Sequence, residues 1–220
     1  GNERLYAITE EQHHNAAYYR NTAIHYFILD AFVEIALLDA ASASDDPVEA
    51  FFARTNELRE LFKFEFYLPR RANYRAEIEK RADDRFAKWK EAIRGDNTNA
   101  HDVFGGVQPL VAHAVLRSFV DAYLIVARVL TTAGADAAGD ESTLLSKSLK
   151  TGKQMLLQGR VFSAESVSKT LYENGVRLAK YRGLLAANQA EAREDFHAQF
   201  RNINKRLDEI LALALARADD

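Results

Sequence analysis

The sequence predicts an all-α protein, and three observations support that prediction. Apolar residues recur at helical spacing along most of the 220 residues. Gly and Pro are scarce inside these periodic segments, and several segments begin with residues that cap helices. The periodic segments predict about seven helices. Because no repeat of fixed period is present, we expect these helices to form an irregular bundle. One segment, KFEFYL at residues 63–68, alternates apolar and polar side chains and could instead form a short strand pair.

Capping residues place the starts of the first two helices, and charge pairs indicate the third. The capping-box sequence at residues 9–12 opens a helix that we expect to run to about residue 38. Asp46 and Pro47 start the second helix, with Asp as the N-cap and Pro at the first helical position. The third helix is predicted over about residues 71–93, where Glu-Lys and Glu-Arg neighbours are frequent.

Two segments without helical periodicity separate the remaining helices. We expect flexible connectors near residues 95–106, a polar stretch bounded by Gly, and near residues 133–140, which read AGADAAGD. Four further helices are predicted at about 109–130, 140–158, 163–183 and 189–217.

Composition excludes several classes of site. The chain has no Cys, so disulfides, thiolate metal ligands and Cys nucleophiles are excluded. The formal net charge is −3, and we see no block of like charge and no basic stripe of the kind that binds nucleic acid. The most apolar segment, residues 107–130, contains four ionisable side chains and is therefore expected to be a core helix rather than a membrane span.

The start of the sequence suggests a piece of a longer protein. The first residue is Gly1, and the only methionine is Met155. A natural translation product begins with Met unless it is processed, so we expect the natural protein to extend upstream.

The first predicted helix has no clean polar side. On a continuous helix Tyr18, Asn21 and His25 share one face with apolar residues, while Phe27 and Leu38 make the opposite side apolar as well. A helix of this kind is buried on both sides, either within this chain or with one side waiting for a partner domain.

Residues Tyr18-Tyr19-Arg20-Asn21 are followed by His25. This pattern resembles the membrane-bound glycerol-3-phosphate acyltransferases of bacteria and mitochondria, in which it opens the helical region C-terminal to the catalytic domain. Three other stretches are similar in order and spacing, at residues 61–66, 116–130 and 159–171.

The resemblance implies that residues 1–220 form a C-terminal helical domain of a longer enzyme. That enzyme transfers an acyl group from acyl-CoA or acyl carrier protein to the 1-hydroxyl of glycerol 3-phosphate, without a cofactor, in phospholipid synthesis. It lies peripherally at the cytoplasmic face of the cell membrane, whereas this chain alone is expected to be soluble. Its partner is then the upstream catalytic domain.

The family's catalytic motifs lie upstream of this region. They include a His-x-x-x-x-Asp pair, in which Asp orients His as general base, then a Gly/Arg segment and a Phe-Pro-Glu-Gly segment. Neither of the last two occurs here. We therefore expect a non-catalytic domain that braces the catalytic domain, with no catalytic residue of its own.

Residues His25 to Asp30 also spell His-x-x-x-x-Asp. We do not interpret the pair as catalytic, because residues five apart on a continuous helix point about 140° away from each other. We expect His25 to be structural and hydrogen-bonded to a buried neighbour, with a place in an interdomain cleft as the alternative. Tyr18, Arg20, Asn21 and His25 are the candidates for that cleft or domain boundary.

Arg20 and a separate group of three basic residues could bind anions. Arg20 could pair with Glu34, or it could reach across the domain boundary to a carboxylate or a substrate phosphate. Lys63, Arg70 and Arg71 could touch anionic lipid headgroups, although three residues are fewer than a usual polybasic cluster.

Two Glu-x-x-His pairs, Glu10/His13 and Glu194/His197, match the di-iron pattern of helical bundles. Glu194 and His197 are predicted on the solvated side of the last helix, which argues against a metal site. We therefore rank a di-iron protein third among the possible functions. The acyltransferase domain is the first, and a self-contained helical protein that binds a ligand or regulates a partner is the second.

Overall fold

The chain folds into an all-α bundle. A computed structural model describes residues 23–43, 45–95 and 100–216, with the backbone alone for residues 100 and 101. These residues form nine α-helices, two short 3-10 turns at Ile24–Tyr26 and Ala164–Ser166, and no strand. The α-helices are α1 (Ile28–Ala40), α2 (Pro47–Phe62), α3 (Arg71–Arg85), α4 (Trp89–Ala92), α5 (Ala100–Phe104), α6 (Ala112–Thr131), α7 (Glu141–Leu157), α8 (Lys169–Tyr181) and α9 (Ala190–Ala216).

Helix α1 lies at the centre of the bundle. Helices α2, α3, α5, α6 and α9 all pack against it, and its side chains are buried on every side from Ile28 to Ala40 except for Leu29 and Asp39, which are partly buried. The prediction of a helix buried on both sides is therefore confirmed for this part. Its cover comes from this chain, so the alternative of one side waiting for a partner domain is wrong here.

The second helix begins where the sequence predicts. The Asp46 side chain accepts hydrogen bonds from the backbone N–H groups of Val48 at 3.0 Å and Glu49 at 3.2 Å, and Pro47 is the first helical residue. The helix ends at Phe62, and the following residues form turns. The strand pair considered at residues 63–68 is therefore wrong.

The predicted third helix is broken. It ends at Arg85, and Lys88 has a left-handed backbone (φ 58°) before the short helix α4. The break places the Trp89 ring 4.4 Å from the Phe51 ring, between centroids, and its indole N–H donates to Asp83 Oδ1 at 2.7 Å. Burial of the indole thus outweighs continuation of the helix.

Helices α6 and α9 form the other half of the core. The predicted stripe of α9 is buried throughout, at Phe196, Phe200, Ile203, Leu207 and Ile210. These side chains pack on α6, whose expected role as a core helix is also confirmed. None of the helices in the described ranges is both long and apolar enough to cross a membrane.

The two predicted connectors differ from expectation. The segment near residues 95–106 contains helix α5, whose Val103 and Phe104 are buried. The segment at residues 133–140 is non-helical, but the buried guanidinium of Arg193 donates to its backbone carbonyls at Gly134 (2.7 Å) and Asp136 (2.8 Å). This segment is therefore fixed to the bundle at its centre.

Candidate functional site

An exposed aromatic surface lies where the described chain begins. His25, Tyr26 and Phe27 are exposed there, Tyr26 at 72% and Phe27 at 43%, and Tyr67 stands beside them at 98%. We call these four residues the His25 surface. Tyr18, Arg20 and Asn21, the other predicted members of a domain boundary, lie outside the described residues.

A local break in the helix creates this surface. Residues Ile24–Tyr26 form a 3-10 turn, closed by a hydrogen bond from the Phe27 N–H to the Ile24 carbonyl at 3.0 Å. Ile24 and Ile28 are buried and anchor the turn, so the three residues between them face outward. The expectation of one continuous first helix, with His25 on the same face as the core residues, is therefore wrong.

The His25 ring rests on aromatic side chains. Its centroid lies 6.5 Å from that of Phe66, edge to face, and 6.4 Å from that of Tyr67. Phe66 is buried and contacts Phe119 of α6 at 4.8 Å between centroids. The His25 ring thus packs on a buried aromatic side chain that is itself in contact with α6.

Asp30 does not serve His25. Its carboxylate is buried and lies 3.3 Å from Arg81 Nη1 and 3.5 Å from Arg85 Nη1, both on α3. A carboxylate bound in this way does not orient an imidazole on the surface. The rejection of the His25–Asp30 pair as catalytic is supported by these ion pairs rather than by the predicted helical angle.

Glu34, one turn after Asp30, is completely buried. Its carboxylate accepts hydrogen bonds from the backbone N–H groups of Val111 (3.0 Å) and Ala112 (2.8 Å), and it forms an ion pair with Arg85 at 3.1 Å. Burial raises the pKa of Glu34 to about 7, while the two N–H groups and Arg85 oppose that rise. This carboxylate therefore joins α1, α3 and the start of α6.

Sequence reasoning missed this arrangement, although a signal was present. Asp30 and Glu34 are four residues apart inside an apolar helix, and Arg81 and Arg85 have the same spacing on α3. Equal spacing of acids and bases on two helices predicts a ladder of ion pairs between them. Burial of two carboxylates requires such partners.

Glu65 lies in the LFKFEF segment at residues 61–66, which is one of the stretches of the resemblance. Its carboxylate accepts hydrogen bonds from Tyr123 Oη at 2.8 Å and from Asn174 Nδ2 at 3.1 Å. Burial raises the pKa of Glu65, and these two hydrogen bonds oppose the rise. Glu65 thus ties the end of α2 to α6 and α8, which is a structural role.

The lysine and arginines predicted to touch lipid are largely engaged. Glu60 accepts from Lys63 Nζ at 3.1 Å and from Arg71 Nη2 at 2.8 Å, and the Arg71 hydrogen bond lowers the pKa of Glu60 to about 2. The Lys63 ammonium also lies 3.4 Å from the centroid of the Tyr181 ring. Of the three, Arg70 is exposed and takes no part in this network.

The metal hypothesis receives no support from the geometry. Glu194 is exposed and His197 is only partly buried, away from the buried stripe of α9, as predicted. No group of three metal-ligating side chains occurs among the described residues. Glu10 and His13 lie outside them.

Comparison with known proteins places this all-α bundle in a family. The fold and its surfaces define a helical domain built around a buried central helix. The chain belongs to the family described as the glycerol-3-phosphate acyltransferase C-terminal region, whose profile matches residues 1–188. The resemblance in the sequence is therefore confirmed.

Curated relatives extend the match along almost the whole chain. Proteins named "Putative acyltransferase plsB1" from Mycobacterium bovis and Mycobacterium tuberculosis are 36% identical over 224 aligned residues, which cover 97% of this chain. The chain spans about a third (35%) of the length of these relatives. No solved structure matches it at a significant level.

Proposed function

We propose that this chain is the non-catalytic C-terminal domain of a glycerol-3-phosphate 1-O-acyltransferase and braces the catalytic domain. The parent enzyme would transfer an acyl group from acyl-CoA or acyl carrier protein to glycerol 3-phosphate, at the cytoplasmic face of the cell membrane. Family membership and the names of the relatives support this proposal.

The observation that carries the bracing role is the His25 surface. Exposed clusters of large aromatic side chains on a soluble bundle mark interaction sites, and aromatic residues are enriched at the centres of interfaces. Here Tyr26, Phe27 and Tyr67 are exposed around His25, whose ring packs on the buried Phe66. The occupant of this surface is the upstream catalytic domain. The relatives' greater length supports the presence of such a domain.

The chemistry would then be supplied by that upstream domain. The only His-x-x-x-x-Asp spelling in this chain ends in a carboxylate that is bound by two arginines. His113 is half-buried, and burial with nearby Arg117 lowers its pKa. Its buried Nδ1 atom has no hydrogen-bond partner in the described structure, so no carboxylate there orients it as a base.

The second reading, a self-contained helical binding or regulatory protein, is favoured by the completeness of the core. Helix α1 is covered by this chain alone, and large aromatic side chains such as Trp89 and Phe200 are buried by other residues of the same chain. A bundle of this kind can fold by itself. The interpretation as a self-contained protein does not explain why the aromatic side chains of the His25 surface are exposed.

The natural coding sequence upstream of Gly1 tests the proposal. We expect it to encode a His-x-x-x-x-Asp motif followed by Phe-Pro-Glu-Gly. An upstream sequence without these motifs, or a natural protein whose mass is close to 24.8 kDa, would contradict the proposal and favour the self-contained protein.

A second test is enzymatic. The pure 220-residue chain should convert no glycerol 3-phosphate and acyl-CoA into the acylated product, because we expect the base and the donor site to lie in the upstream domain. Product formation by the chain alone would show that catalytic groups lie within it.

A further inference from the structure

A second surface of the bundle is basic and carries exposed apolar side chains. Residues 142–164 contain four basic residues and no acidic residue, which gives this segment a net charge of +4. The four cations are all exposed, and none forms an ion pair within the described part of the chain. We call this set the α7 surface, and its cations are Lys147, Lys150, Lys153 and Arg160.

The three lysines share one face of α7. At about 100° per residue they fall within a sector of about 120°, and Leu157 falls inside the same sector. The opposite face of the helix is buried against α6 and α8 through Leu144, Ser148 and Gly152. Leu157 therefore projects outward among the lysines, and 89% of it is exposed.

The turn after α7 is ordered. Gly159 has a left-handed backbone (φ 64°), its N–H donates to the Leu156 carbonyl at 3.0 Å, and the Arg160 N–H donates to the Met155 carbonyl at 2.9 Å. These two bonds form a Schellman motif. They fix Arg160 beside the exposed end of the helix.

Phe162 is held outward by two residues of α6. Its backbone N–H donates to Asp121 Oδ2 at 3.0 Å, and the Arg117 guanidinium lies 5.5 Å from the centroid of its ring. Arg117 is itself fixed by hydrogen bonds to Asn204 and Asp208, both at 2.6 Å. The Phe162 ring nevertheless remains 67% exposed.

We propose that the α7 surface binds an anionic lipid bilayer. The cations would lie at the level of the lipid phosphates, and Leu157 and Phe162 would insert at the boundary between headgroups and acyl chains. This inference rests on the proposed function only for the presence of a membrane, and it names the surface of this chain that meets it. The sequence shows no block of like charge because these four cations are spaced three or more residues apart and come together only on the folded surface.

The exposure and chemistry of this surface favour a bilayer over an acidic protein. Leu157 and Phe162 are 89% and 67% exposed at and just after the end of α7, and a protein partner would need two matching pockets to bury them. Three of the four cations are lysines, which attract phosphate as flexible point charges rather than through the fixed fork geometry of arginine. A fluid interface satisfies both features without a preformed partner surface.

Vesicle sedimentation tests the proposal with the purified 220-residue chain. We expect binding to phosphatidylcholine vesicles that contain about 30 mol% phosphatidylglycerol, and little binding to pure phosphatidylcholine. At about 1 kcal/mol per lysine, the variant Lys150→Gln/Lys153→Gln should bind about 25-fold more weakly. The matched control Lys80→Gln/Lys205→Gln, on α3 and α9, should stay within about twofold of the wild type.

The apolar contribution is tested in the same assay. Leu157→Ser/Phe162→Ser should weaken binding at least about tenfold, because two inserted side chains return to water. Leu215→Ser, an exposed apolar residue on α9 (60% exposed), should have no effect. Circular dichroism should show unchanged helicity in all variants, since each altered side chain is exposed.

Three results would overturn this inference: no binding to anionic vesicles, equal binding to neutral vesicles, or equal losses in the lysine variant and its control. Binding to an acidic protein without binding to vesicles would also overturn it. Because vesicle sedimentation measures no catalysis, its failure leaves the acyltransferase proposal standing. An upstream sequence without catalytic motifs would refute that proposal and leave the vesicle result unchanged.

Discussion

The carboxylate of Glu34 accepts a hydrogen bond of 2.8 Å from the backbone N–H of Ala112, 78 residues further along the chain. The two residues join the central helix α1 to the first turn of α6. Free N–H groups at a helix start need acceptors, and α6 has no side-chain cap of its own. A buried acid on another helix performs that task.

This relationship predicts a dependence of stability on pH. The pKa of Glu34 is raised from 4.5 to about 7 in the folded chain, so between these values the folded state binds more protons than the unfolded state. The free energy of unfolding should therefore fall as pH rises through that window, by at most about 3 kcal/mol from this group. Chemical denaturation of the wild type and of Glu34→Gln at several pH values measures the effect. Parallel pH profiles for the two proteins would contradict it.

A second prediction concerns Arg193, which donates hydrogen bonds to four backbone carbonyls, at Leu184 (2.8 Å), Gly134 (2.7 Å), Asp136 (2.8 Å) and Ala186 (2.7 Å). Arg193→Ala removes four hydrogen bonds from a charged donor and empties the space of a completely buried side chain, so it should lower the free energy of unfolding by about 3–5 kcal/mol. Arg193→Lys should recover little of this stability, because one ammonium group cannot reach the carbonyls of both segments, residues 134–136 and residues 184–186.

The matched control for Arg193 is Arg201→Ala, at an exposed position on the same helix. It should change the free energy of unfolding by less than about 0.5 kcal/mol. Denaturant titration measures all three variants. A loss for Arg193→Ala no larger than that of the control would show that the carbonyls are satisfied without the guanidinium.

A third prediction concerns the contact between α7 and α8. A methyl group added at Gly152 would overlap the hydroxyl of Tyr172, which is completely buried. Gly152→Ala should therefore destabilise the chain by about 1–3 kcal/mol despite the higher helix propensity of Ala.

Tyr172→Phe provides the partner variant. The Tyr172 hydroxyl has no hydrogen-bond partner among the described residues, so its removal should cost little. The double variant should then recover part of the stability that Gly152→Ala loses. Additive losses in a double-mutant cycle, measured by thermal unfolding, would show that the hydroxyl is not the source of the strain.

Local signals in the sequence predicted much of the fold. Asp46 and Pro47 placed the start of α2 at the correct residue, and the 3.6-residue period of Phe196, Phe200 and Ile203 identified the buried stripe of α9. These features depend on neighbours along the chain. Sequence patterns therefore carry them directly.

Breaks that depend on tertiary contacts were not predictable in this way. The left-handed Lys88 and the 3-10 turn at Ile24–Tyr26 occur inside sequences with good helical periodicity. The break at Lys88 allows Trp89 to pack on Phe51, and the 3-10 turn places the exposed His25 ring against Phe66, so each contact joins residues distant in the sequence. The candidate site was likewise predicted only in part, since the exposure of Tyr67 results from the turn after α2.

A fourth prediction tests the roles of Asn21 and His25 in the longer enzyme. Asn21→Leu should weaken docking of the two domains, because an amide partner left unpaired costs about 1–3 kcal/mol. His25→Gln should lower activity modestly, without the near-complete loss expected for a general base. Steady-state kinetics and thermal melting of each variant provide the comparison. A loss of several orders of magnitude for His25→Gln with unchanged melting would mean that His25 is catalytic.

The most direct test of the bracing role is the activity of the longer enzyme when the His25 surface is altered. The double variant Tyr26→Ser/Tyr67→Ser removes two exposed rings, at 72% and 98% exposure. Its control Tyr181→Ser/Leu215→Ser removes two exposed apolar side chains elsewhere, at 67% and 60% exposure. We predict that the first variant lowers the initial rate of glycerol 3-phosphate acylation at least about tenfold, which corresponds to about 1.4 kcal/mol, while the control stays near wild type. Equal activity of the two variants would contradict the assignment of this surface to the catalytic domain.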